Sequence, residues 1–391
     1  MSKMKKILSI MLVCVMVSVL FAGCGQSSST GKSSSDKIKL GLNYELSGGV
    51  ASYGQSSVDG IVMAIEEINK AGGVLGKEIE LIRLDNKSDA AEATSVATRL
   101  VTQDKVVAIL GPATSGAFKA TIPVATKNSI PVISGSTTAE DVTVDKDGVK
   151  EFAFRICFSD SFQGTVMAEF ALKELNAKSA VVIIENSSDY SIGLAKSFKD
   201  AFTNGGGTIV AEEAYSKGDT DFNAILTKIK GLEFDIIYMP GYYEEAGLII
   251  KQARALQIDK PVLGGDGFES PKLVELAGKS ALSKVYYSNH YSSVDKDPKV
   301  TKFFNNFKEK YGKEPDAFAA LGYDLGYVVA DAIKRANSTD PVKIKDALAQ
   351  TKDFNGVTGN FSINDTHGVD KPAIIIELQD GVQVKATRYN P

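Results

Sequence analysis

Residues 106–118 read Val106-Val107-Ala108-Ile109-Leu110-Gly111-Pro112-Ala113-Thr114-Ser115-Gly116-Ala117-Phe118. Val106 to Leu110 is a short apolar run suited to a buried strand, and a helical stretch reaching about Asn128 follows Gly116. Between them, GPATSG forms a strand-to-helix elbow, the local signature of an α/β unit. Such a turn aims unpaired backbone N–H groups and the positive end of a helix at whatever lies above the sheet, which suits an anion. A phosphate-binding P-loop needs Lys and then Ser or Thr after the last glycine. Ala117 and Phe118 stand there, so nucleotide binding through that motif is unsupported.

Outward from the elbow, short apolar strands alternate with amphipathic helices. Strands are expected at Ile38 to Asn43, Glu78 to Leu84, Pro131 to Ser134, Ala180 to Ile184, Asp235 to Met239 and Pro261 to Leu263. Between Ser56 and Ala71, the residues Ile61, Ala64, Ile65 and Ile68 recur at helical spacing, and Gly72-Gly73 ends the run. Two such runs, about 38–158 and 160–288, are each long enough for a sheet of about five strands. A helical region from Pro298 to Gln350 and a β pair, Ala373 to Leu378 with Val382 to Ala386, must be shared between them. The expected fold is therefore two doubly wound α/β lobes, and a chain of 391 residues is long enough for both.

Ahead of this body, Lys3, Lys5 and Lys6 precede an unbroken small or apolar run from Ile7 to Phe21, the layout of a signal peptide. Leu20-Phe21-Ala22-Gly23-Cys24 resembles a bacterial lipobox, with Cys24 as the lipidated residue and residues 1–23 removed. Residues 24–37 are Ser- and Gly-rich and read as a flexible tether. The net charge is −4, and loss of the three leader lysines takes it to −7. An acidic body without a basic stripe excludes nucleic acid as a partner. Of the other cysteines, Cys14 lies in the leader, so Cys157 is alone and reads as a small buried hydrophobe.

His290 and His367, the only histidines, are too isolated for a metal site or a catalytic triad, and both are expected at the surface. No nucleophile, base and orienter appear together, so an enzyme is disfavoured and no cofactor or metal is called for. A second elbow, Ser134-Gly135-Ser136-Thr137-Thr138, is rich in hydroxyls and reads both as a capped helix start and as a place to coordinate a zwitterion.

Taken together, Leu46-Ser47-Gly48-Gly49-Val50-Ala51-Ser52-Tyr53-Gly54, the two elbows, Asp189-Tyr190-Ser191-Ile192-Gly193, Gly241-Tyr242-Tyr243-Glu244-Glu245-Ala246-Gly247 and Gly264-Gly265-Asp266-Gly267 resemble a known family. It is that of the substrate-binding proteins of branched-chain amino acid ABC transporters, with the type I periplasmic-binding-protein fold. The resemblance implies an N-terminal lobe of residues 38–159 and 290–371, a C-terminal lobe of 160–289 and 372–391, and a three-strand hinge near Ser159, Asn289 and Lys371. It also implies a monomer, lipid-anchored outside the cell membrane, that hands a free amino acid, branched-chain or otherwise apolar, to permease subunits.

By the same resemblance, Ser115 contacts the ligand carboxylate through its hydroxyl and N–H. Ser136 offers a main-chain carbonyl, and Thr138 touches both ends of the zwitterion. Tyr242 adds a hydroxyl to the carboxylate and Asp266 takes the ammonium. Aspartate is shorter than the glutamate often found there, so the lobe closes slightly further or a water intervenes. Tyr53 and Tyr190 cover the ligand, while Ala113, Thr114 and Phe318 line its side-chain pocket. Thr114 replaces a cysteine of some members and removes their disulfide. Competing readings are a ligand-sensing module for a receptor and a binder of a related non-amine carboxylate or amide.

Overall fold

A computed structural model describes residues 37–390. The signal sequence, Cys24 and the tether as far as Asp36 lie outside the described residues. The first sheet contains β1 (Ile38–Tyr44), β2 (Ile79–Asp85), β3 (Ala108–Leu110), β4 (Val132–Ser134) and β5 (Ala153–Arg155), all parallel, in the order β2-β1-β3-β4-β5. β3, β4 and β5 are buried throughout, as expected for strands covered on both faces by helices.

The second sheet contains β6 (Ser179–Glu185), β7 (Thr208–Tyr215), β8 (Ile236–Tyr238), β9 (Val262–Gly264), β10 (Val285–Asn289), β11 (Ala373–Gln379) and β12 (Val382–Tyr389). Its order is β12-β11-β10-β9-β8-β6-β7, parallel from β10 to β7, with β11 and β12 added antiparallel at one edge. This is the type I periplasmic-binding-protein architecture, two α/β lobes whose parallel strand orders reverse beside β1 and beside β6. A crevice opens at such a reversal, outside the carboxyl ends of the strands.

Three strands of these two sheets escaped the sequence reading. β5 has only three residues. β7 alternates exposed and half-buried positions at a charged sheet edge, and β10 reads Val-Tyr-Tyr-Ser-Asn, with a polar end. The helix expected from Ser56 begins at Ala51 and runs to Lys70; its start at Val50 has no side-chain cap, so no capping signal marks it.

The C-terminal helical region divides into Pro298–Tyr311, Ala317–Ala336 and Pro341–Ala349, whose starts are capped by Asp297, Asp316 and Asp340. Ala317–Ala336 crosses Ala51–Lys70 so closely that a Cβ on Gly60 would come within 2.0 Å of the Ala319 carbonyl oxygen, and one on Gly322 within 2.1 Å of that of Ser57. Two glycines thus set the close approach of these helices, which carry the stacked rings of Tyr53 and Phe318. The chain leaves the first sheet after Arg155, leaves the second after Asn289 and re-enters the second at Ala373. Among the described residues, no helix is long and apolar enough to cross a membrane.

Candidate functional site

The elbow after β3 is shaped by a residue that sequence reasoning passed over. Glu45, directly after β1, is fully buried. Its Oε2 accepts the Ala113 N–H at 3.0 Å, and its Oε1 accepts the Thr114 N–H at 3.1 Å and the Thr114 hydroxyl at 2.7 Å. Burial pushes this carboxyl above the usual carboxylate range, while the three donors pull it back. The helix Ser115–Lys127 then starts without a side-chain cap, which leaves first-turn N–H groups above the sheet. Ser115 Oγ accepts the Ala139 N–H at 3.3 Å, and Ser136 Oγ donates to the Ala113 carbonyl at 2.9 Å, so the two elbows brace each other.

The second elbow is not the start of an α-helix. It runs into a 3-10 turn at Glu140–Val142, because its backbone is committed elsewhere. The Thr138 carbonyl accepts both Asp160 N–H and Arg155 Nη1 at 2.8 Å, and Arg155 Nη1 also reaches the Ala139 carbonyl. Thr138 Oγ1 is buried beside the Asp160 carboxyl. Burial raises Asp160 to about 8, and the nearby Asp266 adds to the rise.

Across the cleft, Asp266 follows β9 and is 4% exposed. Tyr190 Oη donates to its Oδ1 at 3.0 Å and Gln163 Nε2 at 3.3 Å; the same Gln163 Nε2 donates to Asp160 Oδ1 at 3.0 Å. His290 Nε2 lies 3.1 Å from Asp266 Oδ2. The surface position expected of His290 is therefore wrong: the ring is buried, stacked on Phe158 at 3.7 Å, and burial lowers it to about 4. It directly follows β10, a strand the sequence did not mark. His367 is half-buried and stacks on Phe154.

Of the ten ligand-site residues singled out from sequence, all but Thr138 line one cavity between the lobes. Tyr53 Oη donates to the Gly267 carbonyl and accepts the Tyr243 N–H at 3.2 Å, and its ring stacks on Phe318 at 4.3 Å. Tyr190 stacks on Tyr242 at 5.2 Å. The space left is about 10 Å³, close to what one water needs. Glu45, Asp160, Gln163 and His290 were missed. Only Glu45 carries a sequence signal, a carboxylate at the end of an apolar strand.

Residues 37–383 match the family of periplasmic binding proteins. The chain belongs to the periplasmic binding protein family. Within it, this solute-binding protein stands among the branched-chain amino acid ABC substrate-binding proteins, which are not enzymes and act outside the cytoplasm.

It is 30% identical over 346 residues, 88% of this chain and 92% of the relative, to Leu/Ile/Val-binding protein homolog 3 of Brucella melitensis. It is similar to LivJ from Streptococcus pneumoniae, a branched-chain amino acid transporter substrate binding protein solved with isoleucine. Identity there is 45% and the TM-score 0.86, covering 91% of this chain and 100% of that one. A leucine binding protein, LivK from Thermotoga maritima, is 36% identical with a TM-score of 0.85, covering 90% and 99%. A benzoate-bound solute binding protein from R. palustris, at 24% identity and a TM-score of 0.81, shares the fold.

Proposed function

We propose that this periplasmic binding protein captures a free amino acid with an apolar side chain, branched-chain amino acids first, and presents it to an ABC permease. One observation carries the reading: the helix N-terminus at Ser115 and the buried carboxylate of Asp266 line the same cavity from opposite lobes, with Ala113, Tyr53 and Phe318 between them. A helix N-terminus suits a carboxylate and Asp266 suits an ammonium, so the polarity fits a zwitterion. The relatives solved with isoleucine or named for leucine support this ligand class. A carboxylate lacking an amine would bring Asp266 no cation beyond its neutral partners Tyr190, Gln163 and His290.

In this reading, residues 38–159 with 290–371 move against 160–289 with 372–391 about crossings near Ser159, Asn289 and Lys371. A cavity of about 10 Å³ admits an amino acid only when the lobes part, which is what supports hinge opening. Ser115, Ser136 and Thr138 would receive the ligand first, and Tyr190, Tyr242 and Asp266 would complete the site on closure. The chain would act as a monomer anchored by lipid on Cys24, and loss of membrane retention in Cys24→Ala would test the anchor.

Calorimetric titration of ligand-stripped protein with the free amino acids tests the ligand. Micromolar or tighter binding of Leu, Ile or Val, lost in Asp266→Ala and Ser115→Ala, is the expected result. Binding indifferent to Asp266 would redirect the assignment to carboxylates without an amine.

A further inference from the structure

Thr114 stands in the cavity wall beside Ala113 and Phe318, yet it is a hydroxyl residue in a pocket read as apolar. Its hydroxyl is spoken for, since Oγ1 donates to Glu45 Oε1 at 2.7 Å while the Thr114 and Ala113 N–H groups donate to the same carboxylate. Glu45 directly follows β1, 69 residues before Thr114, and has no exposed surface. Three donors converge on two buried oxygens, which fixes the rotamer of Thr114 and the path of the turn together.

We propose that Glu45 is a specificity-determining residue of this site: by taking the Thr114 hydroxyl out of the cavity, it makes the ligand's side-chain wall apolar and turns away side chains that carry a hydroxyl. Glu45 does not line the cavity and acts through Thr114, so it is a positioning residue. It has a second effect. The Ala113 and Thr114 N–H groups, which a bare elbow would offer to an anion, are already answered, and the ligand carboxylate is left to Ser115 and the turn that follows it. The inference rests on amino-acid binding as proposed above.

L-Valine and L-threonine separate the two shapes of wall, because they match in volume and differ by a methyl and a hydroxyl. An apolar pocket that cannot answer a hydroxyl discriminates against it by up to about 100-fold. Both amino acids are titrated into wild-type protein and into Glu45→Ala, Glu45→Gln, Thr114→Val and the double variant Glu45→Ala/Thr114→Val. Wild type should favour valine, Thr114→Val should keep the wild-type ratio, and Glu45→Ala should narrow it by about tenfold by freeing the Thr114 hydroxyl to meet threonine.

Restoration of the ratio in the double variant is the decisive expected result, since a merely structural Glu45 would leave the double variant no more selective than Glu45→Ala. If Glu45→Ala does not fold, Thr114→Val and the volume-matched Glu45→Gln carry the test. A rise in valine preference in Thr114→Val would mean that the hydroxyl faces the cavity, and would overturn the proposal. So would an unchanged ratio in both Glu45 variants. Failure of wild type to bind any amino acid would instead overturn the ligand reading on which the proposal rests.

Discussion

His290 Nε2 lies 3.1 Å from Asp266 Oδ2, joining the strand end after β10 to the carboxylate expected to meet the ligand ammonium. Burial lowers His290 to about 4, so at neutral pH the imidazole is uncharged and donates through Nε2. An unfolded histidine takes up its proton near 6.5, whereas the folded one resists until about 4. Stability from this group is thus present above about 6.5 and is lost as pH falls to about 4. The difference amounts to about 2–3 kcal/mol, and urea denaturation at pH 7 and pH 4.5 should show a smaller loss in His290→Gln than in wild type. Equal losses would mean that the ring is charged or exposed.

Tyr53 reaches from the first lobe to the Gly267 carbonyl and the Tyr243 N–H of the second. In the proposed hinge motion such bonds form only on closure, so removing them should speed ligand release and leave capture unchanged. Tyr53→Phe, which keeps the stack on Phe318, is expected to raise the dissociation rate by about 5- to 30-fold, equivalent to about 1–2 kcal/mol. Stopped-flow traces with L-leucine that show a slower association phase instead would contradict a latch.

Outside the cavity, Glu269 Oε2 accepts the Tyr287 hydroxyl at 2.6 Å and its Oε1 accepts the Ala317 N–H at 3.3 Å. Asp316, held by Ser56 Oγ at 2.5 Å and by the Ala319 N–H at 2.9 Å, faces it, and Lys313 and Asp59 lie near Asp316. Burial, and then the Asp316 charge, raise Glu269 to about 7. If the proposed opening returns the carboxyl to its ordinary 4.5, then between about 4.5 and 7 only the closed form keeps the proton. Affinity for L-leucine should therefore fall as pH rises through this window, by up to about tenfold per unit of closure-linked shift, and then level off. Glu269→Gln should flatten the profile, and an unaltered profile would show that Glu269 does not sense closure.

Lys371 is buried just before the chain re-enters the second sheet at Ala373, and its Nζ donates to the Ile156 carbonyl at 3.1 Å and to Thr358 Oγ1 at 2.7 Å. Thr358 Oγ1 in turn donates to Asp324 Oδ2 at 2.6 Å. Thr358→Val cuts the relay between ammonium and carboxylate at nearly constant volume and should cost about 1–3 kcal/mol, read from chemical denaturation midpoints. A change below about 0.5 kcal/mol, the size of an ordinary surface substitution, would show that the relay is not structural.

The sequence by itself determined what depends on neighbours along the chain. Alternating apolar runs and amphipathic stripes specified two α/β lobes, and the glycine- and hydroxyl-rich turns after Leu110, Ser134, Met239 and Gly264 marked where strands end and the cavity wall begins, because turn chemistry is local. Only the tertiary structure decided which charges are buried against those turns. Glu45 meets Thr114 across 69 residues, Gln163 meets Asp266 across 103, and Lys371 meets Ile156 across 215. His290 looked like a surface residue because nothing beside it in the chain accounts for its burial. An ionisable group is held in the interior by partners that the fold brings to it, and periodicity carries no record of those partners.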